Sequence, residues 1–361
     1  MLKGLRLGDH CEKIGSGATP RGGKEGYLSE GPYSLIRSQN VHNHGFEFSG
    51  LAFIDEDQAR KLRNVAVQIG DVLFNITGDS VARACRVHPD ALPARVNQHV
   101  AIVRPRPNEI DPLFLRYWLV SPDTQVHLLA LASAGATRNA LTKAMLEGLR
   151  LPALPLEVQR SIGSTLSSLD DKIELNQRTS ETLEKMAQAI FRDWFFEFGP
   201  TRRKADGATD PVEIMGGLVS DPERARQLAV LFPPTLGDDE LPVGWTLGDL
   251  SRYAVLNSES WNTRNPPRQL EYVDLGNTKW GVIESTTTFS WDNAPSRARR
   301  VVRAGDTIVG TVRPGNGSYS FVGVDGLTAS TGFAVLRPKA ASFGEFIYCS
   351  ATSKDNIDRL G

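Results

Sequence analysis

The chain has 361 residues, 40% of them hydrophobic and 23% charged, with a formal net charge of −1. That length accommodates two domains, and the proportions are those of a soluble globular protein. They exclude a membrane-spanning helix, because no apolar run reaches the roughly 18 residues a bilayer crossing needs.

Residues 1–13 lack the apolar core of a signal peptide. Cys11, Cys85 and Cys349 are odd in number, far apart and free of CxxC spacing, which points to a reducing cytoplasm and away from zinc. Residues 1–150 carry 18 Lys/Arg against 15 Asp/Glu, residues 151–240 carry 10 against 16, and residues 241–361 carry 13 against 11. The flanks are mildly basic and the middle is acidic. Such a bias supports a nucleic-acid partner only weakly, since a mixed solvated surface has the same balance.

In chain order, residues 1–154 read as a mixed α/β domain. Two β-rich runs surround a Gly-Asp turn between Val67 and Thr77, and Asn97 to Arg104 is a further strand closed by Pro105. Residues 111–131 read as one helix, with Pro112 in its first turn and Leu115, Trp118 and Leu119 on a shared face. Residues 155–198 then form a single long helix. Ile162, Leu166, Leu169, Ile173, Asn176, Ser180, Leu183, Ala187, Ile190 and Trp194 fall alternately four and three apart. That is a heptad seam, and Asn176 inside it would fix register. At 1.5 Å per residue the rod would be roughly 60 Å long. Residues 199–241 are rich in Gly, Pro and Asp, with Arg202-Arg203-Lys204 and one helical candidate near Pro222, and read as a linker with a docked helix.

Residues 242–361 repeat the first domain. Leu7-Gly8-Asp9 returns as Leu247-Gly248-Asp249, and Gly70-Asp71-Val72-Leu73 as Gly305-Asp306-Thr307-Ile308. Val103-Arg104-Pro105 returns as Leu336-Arg337-Pro338, and Phe114-Leu115-Arg116-Tyr117-Trp118 as Glu345-Phe346-Ile347-Tyr348-Cys349. Any one match is cheap; four in the same order indicate an internal duplication. The first copy continues through Leu149-Arg150-Leu151-Pro152 into the rod, whereas the second reaches Gly361 where that continuation would start. The expectation is therefore a rod whose seam has no partner in this chain.

Leu154-Pro155-Leu156-Glu157-Val158-Gln159-Arg160-Ser161-Ile162, Leu169-Asp170-Asp171-Lys172-Ile173-Glu174-Leu175-Asn176 and Met186-Ala187-Gln188-Ala189-Ile190-Phe191 carry a family resemblance. So do Asn97-Gln98-His99, Leu231-Phe232-Pro233 and Leu241-Pro242-Val243-Gly244-Trp245. Together these resemble the specificity subunit of type I restriction–modification systems. The resemblance implies an α+β fold, two similar mixed α/β target-recognition domains joined by a long coiled-coil-type helix. It implies a non-catalytic, cytoplasmic subunit that binds double-stranded DNA at a bipartite target. Modification (methyltransferase) subunits and a restriction subunit would dock on it. No cofactor is expected in this chain; the modification subunit would use S-adenosylmethionine. The chain departs from the family pattern by ending before the second conserved helix.

No catalytic constellation stands out. Asn265-Pro266-Pro267 is similar to an amino-methyltransferase motif, but its fourth residue is Arg268 rather than an aromatic that could stack on a flipped base, and a turn explains it. Asp170-Asp171-Lys172 reads as a solvated helix flank, Gly15-Ser16-Gly17 as a lone glycine pair, and His42 with His44 as a loop pair without further metal ligands.

A DNA reader needs polar side chains on loops for base edges, with Lys/Arg nearby for phosphates. The first copy offers Thr19, Arg21 and Lys24; Arg37, Ser38, Gln39 and Asn40; Thr77, Asp79, Ser80 and Arg83; and Arg138 with Asn139. The second offers Arg264, Arg313, Asn316, Ser318 and Thr331, with Trp261 and Trp280 as stacking or core groups. Arg297, Arg299, Arg300 and Arg303 read as phosphate anchors or as a charged strand edge. Ile162, Leu166, Leu169, Ile173, Asn176, Leu183, Ile190 and Trp194 form the expected subunit interface, for a modification subunit or for self-association. Phe191, Trp194, Phe195, Phe196 and Phe198 would dock the linker or a partner. The alternative readings are an enzyme of unrecognised chemistry and a helical adaptor whose end domains bind proteins.

Overall fold

The computed structural model describes residues 4–19, 23–134 and 139–360, with Lys24 and Glu25 described in backbone only. The chain divides into two compact units, Met1–Arg178 and Thr179–Gly361. Both are α+β.

In the first unit one sheet is antiparallel throughout, in the order Cys11–Ser16, Val100–Pro105, Val72–Asn75, Ala84–Arg86. Its central strand Val72–Asn75 is buried on both faces, which is why it reads as a continuous apolar run rather than an alternating one. The period-two rule still applies: Val72 and Phe74 enter one core with Leu115 and Leu119, while Leu73 enters a second with Leu35 and Ile36. The second core is closed by a three-stranded sheet. There Tyr33–Ile36 pairs antiparallel with Ala52–Ile54 and parallel with Ala94–Val96.

The second unit repeats this plan. Its antiparallel sheet runs Ala254–Leu256, Phe333–Pro338, Thr307–Gly310, Tyr319–Phe321. The companion sheet runs Thr287–Ser290, Gln269–Val273, Leu327–Ser330, Ala298–Val301, again with one parallel pair at its centre. The fourth strand has a rudimentary counterpart in the first unit, where Ala66 bridges Arg95 as Val301 pairs with Thr328.

The repeated Gly-Asp and Arg-Pro words form one device. Gly70 and Gly305 turn the chain at φ of 89° and 90°, a region that favours glycine. Asp71, buried, accepts from Arg104 at 2.6 and 2.8 Å and from the Gln68 amide at 2.7 Å. Asp306 does the same with Arg337 at 3.0 and 2.8 Å and with the Arg303 amide at 2.9 Å. These bonds hold the guanidinium pKa of each arginine above its ordinary value. Each pair clamps a turn onto the edge of a neighbouring strand's end. The words recur because the fold uses them twice.

Several expectations need correction. Residues 67–71 form no strand of their own; only Val72–Asn75 does. The expected helix over 111–131 is two, Pro112–Val120 and Pro122–Ser133, because Pro122 cannot continue the first and starts the second. Asp111 caps the first by accepting from the Phe114 amide at 2.9 Å.

The long helix is continuous over Leu156–Phe195. It stops before residue 198 because the Phe196 and Glu197 amides both turn back to the Arg192 carbonyl and Phe198 takes a left-handed φ of 52°. The segment after it is more ordered than a linker. Gly199–Ala205 and Pro211–Ile214 are helical besides Pro222–Ala229, around a small core of Ile214, Met215, Ala225, Ala229 and Phe232. Arg203 pairs with Asp193 at 2.7 Å, and the Lys204 ammonium donates to the carbonyls of Ala229 and Phe232. Arg202 donates to the Glu197 carbonyl at 2.8 Å, so the whole basic triplet serves the fold.

Candidate nucleic-acid interface

In the first unit Tyr33–Ile36 and Ala94–Val96 are parallel, so the loops that follow them leave from one end. Ser16 pairs with Ala101 and Asn75 with Val100, which brings the loops after both strands to that same end. Four loops converge there. Gly17 donates its amide to the Asn97 carbonyl at 3.1 Å, and a Cβ at Gly17 would sit 1.7 Å from the Val96 oxygen, so only glycine allows this approach. Thr19 donates its hydroxyl to the Gln98 side-chain oxygen. Gln98 Nε2 lies 3.0 Å from His99 Nε2, and Thr77 Oγ1 lies 2.6 Å from His99 Nδ1. Gly78 donates to the Asn139 carbonyl at 3.1 Å. Thr19, Gln98, His99 and Thr77 thus form a continuous polar chain across three loops.

Beside it, Arg37 lies over the Tyr27 ring and, like Gln39, donates to the Gly50 carbonyl. The Ser38 carbonyl accepts from Asn75 at 2.9 Å. Ser80 is partly exposed, and Arg83 approaches His42 at 3.5 Å. Arg21 and Arg138 lie outside the described residues, as does the Lys24 side chain. Asn40 is a correction. It is buried, its Oδ1 accepting from the Arg37 amide at 3.0 Å and its Nδ2 donating to Glu47 at 2.9 Å, so its amide is spent on the turn.

In the second unit the corresponding loops carry Arg264, Arg313, Asn316 and Thr331, all exposed. Ser318 is a second correction: it is buried and donates to the Leu275 carbonyl at 3.1 Å. Trp261 donates to Thr328 at 3.0 Å and belongs to the packing. The arginine cluster has internal partners. Arg297 pairs with Asp274 at 2.9 Å, Arg299 lies over Trp291, Arg300 reaches Ser260 at 3.3 Å, and Arg303 pairs with Glu259 at 2.8 Å. Asn265-Pro266-Pro267 follows a turn in which Asn262 Oδ1 accepts from the Arg264 and Asn265 amides.

Sequence reasoning named His99 only within the family-like phrase Asn97-Gln98-His99 and missed it as the hub of the polar chain. It also missed the grip on the long helix. Asp170, expected on a solvated flank, accepts from Arg116 and from the Tyr117 hydroxyl, both at 2.8 Å. Burial, then the bond to Asp170, pushes the Tyr117 pKa up to about 12. In the second unit the matching Tyr348 hydroxyl bonds to Glu184 of the same helix, and its pKa too is raised, mostly by burial. Along the seam Ile162, Leu169, Ile173, Asn176 and Leu183 are exposed, and Leu166 and Ile190 are half-buried. Trp194, expected both in the subunit interface and as a dock for the linker, packs edge-on against Phe232 of that segment, with ring centroids 5.7 Å apart, which corrects the first expectation and fits the second. Phe195 and Phe198 meet Trp245 at 5.9 and 6.0 Å, so the aromatic end of the helix holds the segment that follows it.

The His42 and His44 rings are 5.0 Å apart, and burial followed by the nearby His42 lowers the pKa of His44. Among the described residues no three His, Cys, Asp or Glu side chains are placed to hold a metal, and no helix is long and apolar enough to cross a membrane.

Residues 3–185 match the family described as the type I restriction modification DNA specificity domain. The chain is 32% identical over 183 residues to the type I restriction enzyme HindI specificity subunit of Haemophilus influenzae, covering 50% of this chain and 39% of that protein. It is 23% identical over 193 residues to a putative type I restriction enzyme MjaX specificity subunit of Methanocaldococcus jannaschii, covering 52% and 44%. The matched stretch thus spans less than half of either relative. Among solved structures, a type I restriction–modification S subunit from M. genitalium is similar at a TM-score of 0.47 and 13% identity, over 99% of this chain and 78% of that one.

Proposed function

The chain belongs to the type I restriction–modification DNA specificity family, and on that premise we propose that it recognises double-stranded DNA, each unit reading one part of a bipartite target. The observation that carries the reading is the repeated gathering of polar loops at one end of each unit. Thr19, Gln98, His99 and Thr77 do this in the first, and Arg313, Asn316 and Thr331 in the second, where Gly310 pairs with Phe333 and the Thr311 amide donates to the Gly332 carbonyl at 2.8 Å. Asn and Gln amides suit adenine, and Arg suits guanine, at about 1–3 kcal/mol of discrimination per bidentate pair.

The long helix is the spacer between the two half-sites. Its exposed seam of Ile162, Leu169, Ile173 and Leu183 is the strip on which a partner helix docks, from a modification subunit or a second copy of the chain. The chain contributes recognition, and the chemistry, with its S-adenosylmethionine, belongs to the modification subunit; the restriction subunit joins that assembly.

The test is to insert about one helical turn into the exposed middle of the helix and map methylated sites in cells that carry the chain with its modification subunit. The turn lengthens the helix by roughly 5–6 Å. The gap between half-sites is then expected to grow by close to two base pairs, at 3.4 Å per nucleotide along a strand. An unchanged gap would reject the spacer.

A further inference from the structure

In the second unit, Thr278–Lys279 and Val282–Ile283 form a hairpin whose two-residue tip is Trp280-Gly281. Both tip residues have positive φ, 49° for Trp280 and 87° for Gly281. Gly281 adopts this freely; a tryptophan does so only when its surroundings hold it there. Here they do. The Trp280 amide donates to the Gly317 carbonyl at 2.7 Å, and the Gly281 amide to Tyr319 at 3.0 Å. The indole lies against Gly317, where a Cβ would come within 2.6 Å of the ring, and Tyr319 meets it edge-on at 6.1 Å. The side chain is nonetheless 63% exposed. The fold fixes a large aromatic side chain in place and leaves most of it in water, which its own packing does not require.

The surroundings define what would cover it. Trp280 walls an open concavity of about 660 Å³ whose other lining includes Lys279, Val312, Arg313 and Asn316. Lys279, Arg313 and Asn316 are exposed, and among the described residues neither cation has an acidic partner. Arg313 also stands at a positive φ of 49°. A fixed aromatic face between two unpaired cations and an amide complements a flat, apolar group flanked by anions. A nucleotide step has that composition: a base between phosphates.

In the first unit the corresponding hairpin, closed where Val41 bridges Phe46, shows that exposure is not imposed by the topology. Its tip residue Asn43 accepts from the Ala84 amide at 3.0 Å, and the Asn43 carbonyl accepts from Arg116 at 2.7 Å, so that tip is tied inward.

We infer that Trp280 is a DNA-contacting residue of the second unit, wedging at a base step while Lys279 and Arg313 hold the flanking phosphates. The inference rests on the DNA-recognition reading and adds the contact mode. The experiment uses the full chain assembled with its modification subunit and a duplex selected from a randomised pool. W280A is expected to weaken binding to the selected duplex about five- to 150-fold, the range of one base–aromatic stack. W280F should retain part of the affinity, and the thermal midpoint should not fall. Trp280 emission, taken as wild type minus W280F, should be quenched when the duplex is added. K279A and R313A should reduce the salt dependence of binding. Equal affinity for W280A together with unquenched Trp280 emission would overturn the inference and leave the recognition reading standing. If the wild-type assembly selects no sequence from the pool, both fall.

Discussion

Leu7 and Leu247 open the same phrase in the two units and end in opposite surroundings. Leu7 is fully buried, in a core with Leu146, Leu149 and Leu151, and its amide donates to the Leu149 carbonyl at 2.8 Å. Leu247 is 86% exposed. The Asp-Arg clamp behaves the other way: Asp71 with Arg104 and Asp306 with Arg337 keep nearly the same geometry in both. The contrast separates two reasons for a repeated word. The clamp is a requirement of the topology, because it ties a turn to a strand end that both units possess. The leucine is a requirement only where residues 142–152 roof it.

Breaking the clamp gives the largest expected effect and the sharpest test of equivalence. Asp71→Ala leaves a mostly buried guanidinium with only the Ala66 carbonyl, and should cost about 3–5 kcal/mol in urea unfolding. Asp306→Ala should cost less, because Glu259 still pairs with Arg337 and Arg303. Equal losses would mean that Glu259 contributes nothing to the second clamp. The leucines come next. Leu7→Ala should destabilise by about 2–5 kcal/mol, whereas Leu247→Ala should stay within about 0.5 kcal/mol. A large loss at Leu247 would mean that it is covered in solution.

The smallest effect concerns the tyrosines that grip the long helix. Tyr117 keeps its proton to about 12 in the folded state, against about 10 when unfolded. The unfolded chain therefore releases this proton first as pH rises, and stability falls between about pH 10 and 12. Tyr117→Phe should flatten the fall of the urea midpoint across that window. Tyr348→Phe should do so too, since its pKa is raised in the same direction by burial against Glu184. An unchanged slope in either variant would reject that tyrosine as a titrating grip.

Much of the candidate interface was legible because strand ends and turn residues are local signals. Thr19, Thr77, Arg313, Asn316 and Thr331 all emerge at loop ends, where Gly and Asn punctuation places them. Gln39 and Asn40 show the limit. They are adjacent and both amide-bearing, yet Gln39 is exposed and Asn40 is sealed by Glu47 and Arg37. Neither composition nor spacing distinguishes them, because the deciding bonds come from a loop several residues away.

By itself the sequence determined the long helix, through a heptad period that needs no distant partner to be read, and the doubling of one domain, through turn words in constant order. The tertiary structure alone decided which words were shared for the fold's sake, which leucine was roofed, that Trp194 closes onto Phe232, and that one hairpin tip is tied down while the other holds an indole in water. Each of those outcomes depends on groups far apart in the chain meeting at hydrogen-bond or van der Waals distance. Periodicity and propensity describe only neighbours in sequence.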